Sequence, residues 1–377
     1  MNKKIIFLIP TLAMGGGERV VSELSLNLPD SLEKVIVLFR QEVFFPYNGR
    51  LASLDIPVSK IFLFKIFYFI KGFFKFRKII KKENPDFIFA FGIPADMMAI
   101  LTMPEKTLVA AHTLWSKSHG NWPEKMLINL FFNRAKKIIC VSKTVAENLA
   151  GNFKIKKEKI AVTYNPINIE KIQRLAAMPL EKERQDIFKT PVVITAGRLS
   201  KEKNHISLIR AFKKVKDKIA GAQLVFLGDG ETKTFLKQLV EDLSIESSVY
   251  FLGRQDNPFK FLSKAKVFAL SSFREGLPCS ILEAMACGLP IVSADCKSGP
   301  REILAPKTNI ELQADNIEYA EFGILTPVDN DKKLAEALLE VLTNEKLAKI
   351  LSEKSKKRAE DFDIKNIIKE WQFLQND

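Results

Sequence analysis

An α/β protein of two doubly wound parallel-sheet domains is what this chain predicts, on three observations. Apolar runs of strand length alternate with helical patterns almost throughout, the mark of parallel strands joined by crossover helices. At 377 residues there is enough chain for two domains that each bury a core. Between the halves, residues 170–189 are highly charged, carry no strand and lead into Thr190-Pro191, which reads as the linker.

Each element follows from its residues. In the first half, apolar runs place strands at 4–9, 34–39, 86–91, 107–111, 137–141 and 160–163, with helices near 16–28, 66–83, 122–135 and 142–150. The opening run Lys3-Lys-Ile-Ile-Phe-Leu-Ile-Pro10 resembles a short secretory signal. Pro10 and the glycines beyond it fit a strand end better, and no small-residue cleavage site follows. In the second half, strands are expected at 191–196, 222–227, 248–252, 266–270, 290–293 and 323–326. The domains are then 1–170 and 185–357, followed by charged helices that run to about Trp371.

Composition narrows the class. Four cysteines (Cys140, Cys279, Cys287 and Cys296) show no metal-ligand spacing and read as reduced cytosolic thiols. No apolar run approaches the ~20 residues of a membrane-spanning helix. The net charge of +14 calls for an anionic partner. No nucleic-acid motif accompanies it, so a membrane surface is the better reading.

The most informative stretch is Glu275-Gly-Leu-Pro-Cys-Ser-Ile-Leu-Glu283. It lies between the strand runs Val267-Phe-Ala-Leu270 and Pro290-Ile-Val-Ser293, so both carboxylates sit in a βαβ unit at the carboxyl end of a strand, where open α/β sheets bind ligands. The turn through Gly276 and Pro278 aims backbone amides outward at a helix start, which suits a phosphate. Carboxylates on either side take hydroxyl donors. Phosphate flanked by sugars describes a nucleotide-sugar.

Residues 271–304 closely resemble the E-x7-E signature of family 4 retaining glycosyltransferases of the GT-B fold. The match covers both glutamates, Gly276-Leu277-Pro278 and the continuation Glu283-Ala-Met-Ala-Cys-Gly-Leu-Pro-Ile-Val292. The resemblance implies two Rossmann-like domains around an interdomain cleft. The first would bind the acceptor and the second the nucleotide-sugar, with a final helix at about 358–377 packing back on the first through Trp371. It implies that Glu275 binds donor-sugar hydroxyls beside the anomeric carbon and that Glu283 takes the ribose hydroxyls. The loop Gly276, Leu277, Pro278, Cys279, Ser280 and Ile281 would face sugar and phosphate through its amides.

Other positions join this site. Arg198 and Lys203, in Thr195-Ala-Gly-Arg-Leu-Ser-Lys-Glu-Lys-Asn204, follow a second-domain strand and can neutralise a diphosphate as it leaves, where cations help most. Their spacing, G-R-x-x-x-x-K, matches the same family. The first strand ends in Gly15-Gly16-Gly17-Glu-Arg19. Val20 occupies the third glycine position of a dinucleotide fingerprint, which disfavours a nicotinamide cofactor. In the family such a loop lies against the donor phosphate and the acceptor site. His112 ends a strand where the family carries a histidine near the donor sugar, for hydrogen bonding rather than base catalysis. His119 and His205 read as structural. Asn165, in Tyr164-Asn-Pro-Ile, resembles the family's turn at the end of the first domain. Gly228 and Gly253-Arg254 end second-domain strands and leave room for the nucleotide. Asp329-Asn-Asp331 and Asp361-Phe-Asp363 have the letters of a metal-binding Asp-x-Asp but lie in C-terminal charged or helical segments, so they read as solvated or capping residues and no metal is required. Ser298-Gly-Pro-Arg301 resembles members acting on N-acetylated sugars.

Residues 60–82 carry eight basic residues, eight aromatics and no acid. Lys71, Lys75, Lys78 and Lys82 recur at helical spacing, with Phe69, Phe73, Phe76 and Ile80 on another face. This describes a helix lying on an anionic leaflet. The expected protein is a retaining, metal-independent transferase without a cofactor. It takes a UDP- or GDP-sugar, with the Ser298 resemblance pointing to an N-acetylhexosamine, and a lipid-linked or membrane-proximal saccharide, cytoplasmic and peripheral at the inner face of the membrane, with no nucleic-acid partner. The alternatives are a sugar-nucleotide epimerase, for which three histidines are few, and a basic nucleic-acid-binding protein.

Overall fold

The computed structural model describes residues 3–13, 15–59, 61–114 and 122–371, with side chains in the last range from 125 onward. The chain forms two units, Met1–Pro166 with Ile364–Asp377, and Ile167–Asp363.

The first unit is built on β1 (Lys3–Ile9), β2 (Leu32–Leu38), β3 (Arg50–Ser53), β4 (Phe87–Phe91), β5 (Thr107–Ala111), β6 (Lys137–Cys140) and β7 (Ile160–Val162). All pairs are parallel, in the order β3-β2-β1-β4-β5-β6-β7. Strand alternation sends β1 into two cores. Ile5, Phe7 and Ile9 face a layer with Val20, Leu24 and Trp371, while Ile6 and Leu8 face one with Phe76, Ile80 and Met98. The C-terminal helix Ile364–Glu370 thus completes the first unit, with the Trp371 ring 4.9 Å from that of Phe89.

The second unit carries β8 (Val192–Ala196), β9 (Gln223–Leu227), β10 (Val249–Phe251), β11 (Val267–Leu270), β12 (Ile291–Ala294), β13 (Glu318–Ala320) and β14 (Gly323–Thr326). Their order is β10-β9-β8-β11-β12-β14-β13, parallel except for the antiparallel edge pair β13–β14. Strand order reverses between β8 and β11, the place where such sheets open a crevice at their carboxyl ends.

Three elements escape the sequence pattern. β3 is a four-residue edge strand without alternation, and β13 is a three-residue edge. The helix Ile93–Thr102 is apolar on most sides because the sheet and neighbouring helices cover it, so no amphipathic period marks it. The expected linker at 170–189 is corrected. It forms the helices Ile169–Ala176 and Lys182–Gln185 and belongs to the second unit. Asn168 caps the first helix by accepting from Lys171 N, and Ile172 is buried. Asn257 Nδ2 and Ser263 Oγ donate to the carbonyls of Leu175 and Ala176 at 2.9 and 3.0 Å. Its charges are the outer face of packed helices rather than the mark of a free tether.

Candidate functional site

In the second unit, the loops after β8 and β11 meet at the strand-order reversal. β8 runs into Gly197, exposed Arg198 and the short 3-10 turn Lys201–Lys203. Asn204, at φ 47°, caps the helix His205–Lys218 by accepting from Ser207 N, and its Nδ2 donates to Asp329 Oδ1 at 2.9 Å. From β11 the chain enters Ser271-Ser272-Phe273-Arg274-Glu275. Ser271 Oγ donates to Lys203 O at 2.9 Å and Phe273 N to Glu202 O at 2.8 Å. These bonds hold the two loops in register.

Lys203 and Glu275 meet across that seam. Lys203 Nζ lies 2.7 Å from Glu275 Oε1, to which Ser272 Oγ also donates at 2.6 Å. The lysine side chain is 24% exposed and the glutamate 10%. A cation for a leaving diphosphate and a carboxylate for sugar hydroxyls were expected as separate roles. The structure joins them in one ion pair.

Beyond Glu275 the chain passes Gly276 and buried Leu277, and Pro278 stands at the N-cap of the helix Cys279–Ala286. Cys279 and Ser280 open the first turn, half-buried. Ile281 is corrected as a contact residue. Its side chain is fully buried and its amide already donates to Pro278 O at 3.0 Å, because the turn closes on itself one residue early. Glu283 lies within the helix at 6% exposure.

Gly228 also takes a different explanation. A Cβ there would meet Gly197 O at 1.8 Å, and its own amide donates to Gly253 O at 2.9 Å. Close approach of two strand-end backbones requires the glycine. Arg254 is exposed just past β10, with burial pulling its guanidinium below the usual value.

In the first unit, Gly15 (φ 148°) is the N-cap of the helix Gly16–Asn27, so the glycine run opens this helix, and β1 itself already ends at Ile9. A Cβ on Gly17 would lie 3.7 Å from the Phe91 ring, and His112 stacks on that ring at 5.1 Å. The carboxyl ends of β1, β4 and β5 therefore gather Gly17, Phe91 and His112. Burial lowers the His112 pKa to about 4, and Nε2 has no hydrogen-bond partner among the described residues. A cavity of about 10 Å³ is lined by His112, Thr163, Asn165 and Trp371. That is room for about one water and not for a sugar.

The remaining histidines and acids sort plainly. His205 packs edge-on against Phe226 at 5.3 Å and is held neutral, its pKa lowered to about 3 by burial and by Lys203. His119 lies outside the described residues. Asn330 caps the helix Asp331–Thr343, Asp331 pairs with Lys214 at 3.3 Å, and Asp361 pairs with Arg358 at 2.6 Å. Among the described residues, no three His, Cys, Asp or Glu side chains are grouped to hold a metal ion. The four cysteines are free thiols.

The helix Phe62–Glu83 has two apolar faces. Phe76 and Ile80 are buried in the core, and Phe69 and Phe73 pack against it. Leu63, Phe67, Ile70 and Phe74, at spacings of four, three and four, form a second stripe that is 48–75% exposed. Lys71, Lys75 and Lys78 are exposed beside it, and Lys75 pairs with Asp55. Among the described residues no helix is long and apolar enough to cross a membrane.

The comparisons with known proteins agree across the chain. The model of the glycosyl transferases group 1 matches residues 179–358, and that of glycosyltransferase family 4 matches 14–171. An uncharacterised glycosyltransferase of Methanocaldococcus jannaschii is 34% identical, over 82% of this chain and 83% of its own. A Campylobacter jejuni enzyme is 31% identical over 98% of both chains; it is an N-acetylgalactosamine-N,N'-diacetylbacillosaminyl-diphospho-undecaprenol 4-alpha-N-acetylgalactosaminyltransferase. Among solved structures, Anabaena HepE in complex with UDP and glucose superposes at a TM-score of 0.79 with 19% identity, covering 99% of each chain. Two Rossmann-like sheets of GT-B type and a paired carboxylate and lysine at the strand-order reversal thus coincide with full-length kinship, and the chain belongs to the family 4, group 1 glycosyltransferases.

Proposed function

We propose that this glycosyltransferase moves a sugar from a UDP-sugar to a polyprenol-diphosphate-linked saccharide, with retention at the anomeric carbon and without a required metal. The observation that carries the reading is the Lys203–Glu275 pair at the reversal between β8 and β11, beside the amide-bearing turn 276–280. A nucleoside diphosphate there meets a cation that can leave Glu275 for phosphate, and the freed carboxylate accepts sugar hydroxyls. Arg198, exposed at the same edge, adds charge. Stabilisation of the departing diphosphate by fixed cations and amides is the main catalytic contribution, and its phosphate oxygen takes the acceptor's proton.

Support for the acceptor class comes from the Campylobacter relatives, whose names specify diphospho-undecaprenol and PP-undecaprenol acceptors. Those names also favour an N-acetylhexosamine donor, and the HepE complexes favour uridine over guanosine. The exposed stripe Leu63–Phe67–Ile70–Phe74, with its lysines, supports docking of this helix on an anionic leaflet at the cytoplasmic face. Each cation near such a surface contributes about 1 kcal/mol.

A thermal-shift screen over UDP- and GDP-sugars, followed by UDP release with a polyprenol-diphosphate-linked N-acetylhexosamine, tests this. The native state should gain melting temperature with one donor class and turn that donor over. Stabilisation by no nucleotide-sugar would overturn the proposal.

A further inference from the structure

The turn between β12 and the helix Pro300–Leu304 backs the Glu275–Pro278 loop, and nothing in the carboxylate motif itself accounts for its form. Ser298 Oγ donates to Gly276 O at 2.6 Å. Ser298 sits at φ 69°, a region that residues with a side chain seldom adopt, and is only 5% exposed. A Cβ on Gly299, its neighbour at φ 92°, would meet Pro278 Cδ at 2.5 Å and Gly276 O at 3.0 Å. An isolated bridge joins Arg274 to Lys297. The turn is anchored from below by Arg301, which is 4% exposed. Its guanidinium pairs with Asp295 and, at 2.7 Å, with Glu318. Asp295 in turn accepts from Ala314 N at 2.7 Å.

A peptide group is planar, and no cis bond occurs here. Fixing the direction of the Gly276 carbonyl therefore fixes the Leu277 N–H in the opposite direction, away from Ser298. We infer that Ser298 is a positioning residue: by holding the Gly276 carbonyl it aims the Leu277 amide at the diphosphate as it departs. The inference rests on the proposed function, in which the turn's amides face sugar and diphosphate. A strained backbone held by one hydroxyl fits a site where an amide must stay oriented through the reaction.

Ser298→Gly separates this role from folding. Glycine accepts φ 69° without strain, so the variant should melt no lower than the parent. With the carbonyl released, kcat for UDP release from the active donor should fall on the order of tenfold while donor KM stays within about twofold. Ser298→Asn, which tolerates the left-handed region and brings an amide donor, should recover part of that loss. An unchanged kcat in Ser298→Gly would overturn the inference. So would a fall in kcat that merely tracks a fall in melting temperature. A parent protein that neither binds UDP nor turns over any UDP-sugar would instead overturn the proposed function on which it rests.

Discussion

Removing the ammonium of Lys203, as in Lys203→Met, perturbs the site at its most informative contact. At 2.7 Å and an effective dielectric of about 20, the attraction to Glu275 is roughly 6 kcal/mol before desolvation. Much of that is cancelled. Both groups lose water, the lysine remains 24% exposed, and Ser272 still donates to the carboxylate after the change. A net coupling of about 1–2 kcal/mol remains in a double-mutant cycle of Lys203→Met with Glu275→Gln, read from urea denaturation. Nucleotide binding adds a second reading. If the ammonium moves to the diphosphate, Lys203→Met loses a charged hydrogen bond of about 1.5–3 kcal/mol, or roughly 10- to 100-fold in UDP affinity by calorimetry. Glu275→Gln should do the opposite: it frees the ammonium and removes a negative charge near the incoming phosphate, so UDP binds about two- to fivefold tighter while sugar transfer collapses. UDP affinity within twofold of the parent in Lys203→Met, or tenfold weaker in Glu275→Gln, would refute the shared-lysine reasoning.

Three further outcomes are expected. Phe67→Asp with Ile70→Asp should lower sedimentation with phosphatidylglycerol vesicles by roughly tenfold per position and leave melting unchanged, since both side chains are exposed; equal binding to neutral vesicles would count against it. His112 and His205 have folded pKa values lowered to about 4 and about 3, so the unfolded chain binds their protons first as pH falls through 6.5. Stability should therefore fall between about pH 6.5 and 4, and His112→Gln should flatten that slope by up to about 3 kcal/mol in pH-dependent denaturation. Arg301→Met strands the buried Asp295 carboxylate at a cost of about 3–5 kcal/mol, or roughly 6–20 °C of melting temperature at pH 7.5. Burial already raises the Asp295 pKa, and a raised acid holds its proton more tightly when folded, so this loss should shrink towards pH 5.

The strands that are continuous apolar runs, such as β1 and β8, were legible because burial on both faces leaves such a run in the sequence. β3 and β13 were not, because an exposed edge of three or four residues has no face to mark. The Glu275 loop stood out by its place at the end of β11, yet its pairing with Lys203 depends on two loops 72 residues apart, which no local pattern encodes. Ser298 and Gly299 drew notice only through the resemblance of Ser298-Gly-Pro-Arg301 to members acting on N-acetylated sugars. Their contact with Gly276 and Pro278 exists only once β11 and β12 lie side by side. The packing reason for Gly228 was hidden in a related way: the atom that excludes its Cβ belongs to Gly197, on the neighbouring strand's loop. In the helix Phe62–Glu83, composition disclosed a surplus of apolar residues, and the fold showed which of them the core does not take.

The place of Trp371 bears on how the protein is made. Its ring packs on Phe89 in a core whose other members, apart from Ile367, come from the first 166 residues. During synthesis the whole segment Ile167–Asp363 must leave the ribosome before that core can close. The first unit therefore waits with part of its apolar layer open while the second, continuous in the chain, can already fold. A fragment ending at Pro166 is for the same reason an incomplete unit, and joining Ile364–Asp377 to it by a short linker is the way to express it alone.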